Sequence, residues 1–278
     1  MNTATQRIPH HLDFNRMAAR DAVDLGGCRV YTGHDGRPDL PAFVFVHGGY
    51  HGAWCFSHYL DYFSERDVPC YAVDLPGHGA LVDGMTPDIG LEVLAERLSV
   101  CIAELRRPVV VVGHSVGAIP AMRAAMELAV QGLVLLAPSP PGNLAGARAL
   151  PTLPVHVLRA APFADEVRRR FLALDGDANV DSVLEQLCPE SPGVLNDRYA
   201  LRISVNPDDI TCPGICFEAG RDDQDRHPEG QDLAIARFLG IEYELLKTQP
   251  HCMMYGPQWQ ESAQALFAWY QRCFDIKQ

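Results

Sequence analysis

The sequence has no run of about 18 apolar residues, the length a helix needs to cross a bilayer, and its first twenty residues are polar, with His10, His11 and Asp13. Neither a membrane span nor a secretory signal is expected. Paired Cys-x-x-Cys motifs are also missing. The nine cysteines are scattered among apolar neighbours, so a zinc ribbon is disfavoured. Cys70, Cys101 and Cys216 read as small buried hydrophobes of a reduced, cytoplasmic protein. Basic charge is short: 23 Lys and Arg stand against 35 Asp and Glu, a net charge of -12. A polyphosphate or an anionic membrane would be repelled, which leaves a small molecule as the expected partner, with no nucleic acid and no membrane.

What is present is an ordinary globular composition, 47% hydrophobic and 21% charged over 278 residues, enough for one large core. One catalytic domain with an insert fits this better than two equal domains. Oligomeric state is open, and a homodimer is compatible with the sequence.

Strand and helix patterns alternate. Ala22 to Leu25 and Cys28 to Thr32 flank Gly26-Gly27 as a hairpin. Ala42 to Val46, Pro69 to Val73, Val109 to Val112, Leu133 to Ala137, Gly214 to Ala219 and Glu242 to Lys247 have strand length. Helical spacing separates them: Phe56 to Phe63, Ile89 to Leu105, the stretch after Gly117, Pro228 to Phe238, and Trp259 to Cys273. Such alternation predicts an α/β fold with a mostly parallel twisted sheet flanked by helices. The rhythm breaks at Pro138-Ser139-Pro140-Pro141-Gly142, and helical patterns without a convincing strand follow until about Asp209. The expected division is therefore an N-terminal arm over 1–20, a core over 21–139 and 210–278, and an inserted helical cap over 140–209. Arg168-Arg169-Arg170 in that insert reads as a solvated face, with a clamp for a substrate carboxylate as the alternative.

The stretch that carries chemistry is Val109-Val110-Val111-Val112-Gly113-His114-Ser115-Val116-Gly117, followed at once by helix-forming residues. Strand, sharp turn, helix is the context in which Gly-x-Ser-x-Gly presents a strained, exposed serine at a sheet edge. A chance match in a loop would lack the four valines before it and the helix after it. Further on, the acidic loop Asp222/Asp223 and then His251 each follow a predicted strand. The chain order is serine, acid, histidine.

That order, with His47-Gly48-Gly49, Asp74-Leu75-Pro76-Gly77-His78-Gly79 and Gly113-His114-Ser115-Val116-Gly117, resembles the α/β-hydrolase fold superfamily from about Asp21 to Phe274. His47 to Trp54 is similar to the first loop of the branch holding plant methyl esterases and hydroxynitrile lyases. Lyases of that branch carry threonine and lysine where this chain has Gly48 and Cys252, so the resemblance implies hydrolysis rather than cyanohydrin cleavage.

The resemblance implies Ser115 as nucleophile, His251 as base and then acid, and Asp223 as the carboxylate, with Asp222 the runner-up and Asp225 and Glu218 behind them. Val116, the residue after the nucleophile, and by resemblance Gly49 would offer backbone N–H groups to the oxyanion. Tyr50, His51, Trp54 and His114 are candidates to line the substrate pocket, although strand alternation would turn His114 away from Ser115. His47 and His78 read as hydrogen-bonding residues of their turns. No metal and no organic cofactor is implied. The expected activity is that of a serine esterase acting on a carboxylic ester, thioester or lactone of a hydrophobic or aromatic substrate. A cofactor-independent dioxygenase, a carbon-carbon bond hydrolase or a small-molecule receptor on the same scaffold are the alternatives.

Overall fold

A computed structural model describes residues 9–274, so the first eight residues of the arm and the last four of the chain lie outside the described residues. The strands are β1 (Ala22–Leu25), β2 (Cys28–His34), β3 (Ala42–Val46), β4 (Cys70–Asp74), β5 (Val109–His114), β6 (Gly132–Leu136), β7 (Gly214–Ala219) and β8 (Glu242–Leu246). They form one sheet in the order β1-β2-β4-β3-β5-β6-β7-β8. β1 and β2 pair antiparallel with their neighbours, and every pairing from β4 across to β8 is parallel. This is the mostly parallel α/β sheet expected.

The central strands are apolar on both faces because both faces are covered. Phe43, Phe45, Val110 and Val112 point into one core with Phe56, Tyr59, Phe63, Trp269 and Tyr270. Val44, Val46, Val109 and Val111 point into the other with Leu94, Leu98 and Met122. All four valines before the serine are at most 2% exposed, and burying each contributes roughly 1.5–3 kcal/mol. β5 is thereby held firmly. The strand-edge elements differ: β8 leaves three of its five residues exposed.

The covering helices are α1 (Ser57–Ser64), α2 (Leu91–Leu105), α3 (Ala118–Glu127), α7 (Gln231–Leu239) and α8 (Trp259–Phe274). α7 starts at Gln231, later than its spacing suggests, because Gly230 takes a left-handed conformation at its N-cap. Between β6 and β7 lie α4 (Ala164–Glu166), which runs into a π-helical turn over Val167–Phe171, then α5 (Asp181–Gln186) and α6 (Pro192–Tyr199). Ser191 caps α6 by accepting from the Gly193 N–H, with Pro192 at the first helical position. This segment contains no strand among the described residues, only an isolated bridge between Arg159 and Glu190.

The described part of the N-terminal arm packs onto the core. Two 3-10 turns bury Leu12, Phe14 and Met17, and the Phe14 ring lies edge-on to Trp54 at 4.7 Å. All nine cysteines are free thiols. No helix among the described residues is long and apolar enough to cross a membrane.

Candidate active site

The turn after β5 places Ser115 at φ +52°, a left-handed conformation that costs a non-glycine residue on the order of 1–3 kcal/mol. Glycine is required on either side by close approach. A Cβ on Gly117 would lie 2.1 Å from the His47 carbonyl oxygen, and one on Gly113 would lie 2.6 Å from the Ala118 Cα. The Ser139 N–H donates to the Ser115 carbonyl at 2.9 Å, which ties the turn to the strand end of β6.

Two loops at the same sheet edge meet this serine. His251 follows β8, and its Nε2 lies 3.0 Å from Ser115 Oγ. Its Nδ1 lies 2.7 Å from Asp222 Oδ2. With Nδ1–H donating to the carboxylate, Nε2 is left to accept from the serine hydroxyl. The Arg221 N–H donates to the Gln249 carbonyl at 3.0 Å, joining the loop after β7 to the loop after β8 and so bringing Asp222 beside His251.

The carboxylate on His251 is therefore Asp222, and the expectation of Asp223 is corrected. A tight turn at the end of β7, with the Asp222 N–H donating to the Ala219 carbonyl at 3.2 Å, aims the first of the two carboxylates at the imidazole. Asp223 faces Arg170 instead, at 3.4 Å. Asp225 and Glu218 are elsewhere: the Asp225 N–H donates to Asp223 Oδ1, and Glu218 accepts from the Tyr243 hydroxyl at 2.6 Å.

Burial opposes ionisation of Asp222. The neighbouring His251 and His227, the hydrogen bond from His251 and the amide of Asp223 outweigh it and hold the carboxyl below its ordinary range. His227 lies 3.8 Å from the same carboxylate oxygen, yet burial pushes its imidazole down to about 4, so it stays neutral near pH 7. The donor atoms of Asp222, His227 and His251 lie within 4.8 Å of one another, the one such group that could hold a metal among the described residues. In this arrangement Asp222 and His251 already spend those atoms on each other and on Ser115.

The loop after β3 supplies the opposite wall. A Cβ on Gly48 would sit 2.9 Å from that of Ser115, and one on Gly49 would sit 3.6 Å from Val116 Cγ1 and 3.2 Å from Glu190 Oε2. The Gly49 N–H has no protein acceptor among the described residues. Val116 is second in the short helix after β5, where a backbone N–H has no intrahelical acceptor. Both amides of the expected pair thus border the serine.

Glu190 fixes this loop, and sequence reasoning missed it. The side chain is fully buried and accepts from the Tyr50 N–H at 2.9 Å, the Ser191 N–H at 2.8 Å and His78 Nε2 at 3.0 Å. His78 Nδ1 donates to the Pro76 carbonyl, so both ring nitrogens act as donors. Burial works against that charge, but the Glu190 carboxylate more than offsets it and raises the His78 pKa. Tyr50, at φ +67°, is held from the other side as well, its carbonyl accepting from the Cys188 N–H at 3.0 Å.

A single cavity is lined by Gly48, Gly49, Tyr50, His51, His114, Ser115, Val116, Asp222 and His251. The segment between β6 and β7 adds Leu150, Arg170, Phe171, Leu195, Arg198 and Tyr199, and the loop after β7 adds Arg226 and His227. His51 is held at about 4 by burial and is neutral; Nδ1–H donates to the Gly49 carbonyl and Nε2 accepts from the Tyr255 hydroxyl. His114 does not turn away: its ring lies 4.9 Å from that of His251 and Nε2 donates to the His251 carbonyl. Trp54 is the exception. The 3-10 turn over Ala53–Phe56 carries it behind the wall, stacked on His51 at 5.1 Å, and it lines a different cleft with Phe14 and Met17. Its expected place in the pocket is corrected to a supporting one. His47 bridges the Gly48 carbonyl and the Leu75 N–H, a role in the turn.

This constellation on this sheet defines the class. The alpha/beta hydrolase family model matches residues 43–265, and the chain belongs to that family. Solved structures of similar fold include a methylesterase from Arabidopsis, 22% identical, covering 82% of this chain and 98% of its own, with a TM-score of 0.62. Tomato methylketone synthase I complexed with 2-tridecanone is 16% identical over 84% of this chain and 98% of its own, with a TM-score of 0.67. A hydrolase from Oleispira antarctica is 15% identical over 87% and 94%, with a TM-score of 0.65. At these identities the likeness is one of fold. No curated protein matches the sequence.

Proposed function

We propose that the protein is a serine hydrolase that cleaves a carboxylic ester, or the related thioester or lactone, through an acyl-Ser115 intermediate. The observation that carries this reading is the unbroken hydrogen-bond line from Ser115 Oγ through His251 to Asp222, opening on a cavity bordered by the Gly49 and Val116 amides. Ser115 Oγ passes its proton to His251 Nε2 as it attacks the carbonyl carbon. Asp222 stays ionised, keeps Nδ1 protonated and stabilises the imidazolium. The two amides donate hydrogen bonds to the carbonyl oxygen as negative charge develops on it, each worth on the order of 3 kcal/mol in the transition state. His251 then hands the proton to the departing alkoxide, and the same groups activate a water that releases the acid.

The lack of room for a side chain at Gly48 favours hydrolysis over the lyase chemistry of the branch that carries threonine there. Residues 140–209 act in this reading as a cap, since they wall the cavity with Phe171, Leu195 and Tyr199. The apolar share of that lining suits a partly hydrophobic or aromatic substrate. Turnover of a short p-nitrophenyl ester, together with covalent labelling by a fluorophosphonate, is expected in the wild type and lost in Ser115→Ala. Turnover that survives the substitution contradicts the proposal.

A further inference from the structure

Arg198, on α6, is 6% exposed and lines the cavity, yet its guanidinium donates to no residue and lies within 4.0 Å of no carboxylate among the described residues. A buried guanidinium without a counter-charge is costly, because desolvation is not repaid. The strain is visible in its acidity: burial pulls the pKa down to about 10, with Arg226 adding to the effect. Arg226 lines the same cavity and, among the described residues, also has no carboxylate within 4.0 Å; its side chain donates to the Tyr199 hydroxyl at 2.8 Å. Two cations therefore share one cavity, unneutralised, in a protein with net charge -12.

The cavity's other charges are already engaged. Arg170 pairs with Glu166 at 2.6 Å and with Asp223 at 3.4 Å, and Asp222 is held by His251. His227 is neutral near pH 7. The charge left over is positive and sits in the pocket that opens on Ser115.

We infer that the substrate carries a carboxylate, separate from the bond that is cleaved, and that Arg198 and Arg226 bind it. A planar guanidinium fork matches a carboxylate, and a monoanion fits better than a phosphate dianion because Asp222 and Asp223 line the same cavity. The class of substrate is then a half-ester of a dicarboxylic acid, or an ester whose alcohol bears the acid. This rests on the hydrolase reading above and sharpens its substrate, which becomes amphipathic rather than purely apolar.

The test compares matched substrates on the intact protein: p-nitrophenyl hemiglutarate against p-nitrophenyl pentanoate for an acyl-side charge, and 4-acetoxybenzoate against 4-acetoxytoluene for an alcohol-side charge. In one series the wild type is expected to favour the charged member by about 10- to 100-fold in kcat/KM. Arg198→Gln brings that ratio to about one, Arg198→Lys retains part of it, and circular dichroism melts establish that both variants fold. A ratio of one or less in both series, or a ratio unchanged in a folded Arg198→Gln, overturns the inference while leaving ester hydrolysis standing. Calorimetric binding to Ser115→Ala of monomethyl glutarate against methyl pentanoate, and of 4-acetoxybenzoate against 4-acetoxytoluene, separates the two ideas. Tighter binding of the charged ester in either pair, lost when Arg198→Gln is added, supports the inference even if no ester is turned over; equal binding in both pairs overturns it.

Discussion

On the acidic side of the cavity each carboxylate is answered: Asp222 by His251 at 2.7 Å, Asp223 by Arg170 at 3.4 Å, and Glu190, behind the wall, by His78 at 3.0 Å. On the cationic side, Arg198, on the segment between β6 and β7, and Arg226, in the loop after β7, have no carboxylate within 4.0 Å among the described residues, and Arg198 is buried. The first region is an arrangement finished before any ligand arrives, as a catalytic apparatus must be if it is to lose little energy in reorganising. The second is unfinished, and its completion falls to the ligand. On this account reaction type and substrate choice belong to different sides of the cavity.

The contrast breaks most sharply at the two adjacent aspartates. Asp222→Asn is expected to lower kcat by about 10³- to 10⁴-fold, because an amide no longer holds His251 in the required tautomer. Asp223→Asn, which loosens Arg170 only, is expected to cost less than about 10-fold. Steady-state rates on one p-nitrophenyl ester decide it, and equal losses would place the acid wrongly.

A smaller effect sharpens the comparison on the side of stability. His78 holds its proton more tightly folded than unfolded, so its contribution is fully present below the unfolded imidazole value of about 6.5 and is lost as pH rises through the raised folded value. Asp74 and His47 also face this ring. Glu190→Gln removes the counter-charge and is expected to lower the Tm at pH 6 by roughly 5 °C, through the loss of a few kcal/mol. The Tm difference from wild type should shrink as pH rises above neutrality. A constant difference from pH 6 to 9 would mean that the pair contributes no proton-linked stability.

Much of the fold was legible because its signals are local. Four consecutive valines at β5, the glycines around Ser115 and the breaker cluster at Pro138 to Gly142 each declare their structure within a few residues. Ser115 and His251 were legible for the same reason, each standing just past a strand. Asp222 and Asp223 were not separable, since two identical side chains differ only by the turn at Ala219 that aims one of them. Glu190 was invisible: its partners Tyr50 and His78 lie 140 and 112 residues away, and nothing near Glu190 marks the meeting. Arg198 was hidden differently. On a short helix beside Asp197 and Tyr199 it reads as a surface residue, and only the fold reveals that it is buried without a counter-ion. Trp54 misled because adjacency to a functional loop says little about which way a 3-10 turn points a ring.

Whether Ser115 forms a covalent bond with the acyl group decides the remainder. Rapid acid quench of the wild type mixed with excess p-nitrophenyl ester, followed by intact and peptide mass analysis, should find the acyl mass on the peptide containing Ser115 and no such adduct in Ser115→Ala. Product released with that peptide unmodified at every time point, at a rate unaltered by the substitution, would refute the acyl-serine mechanism.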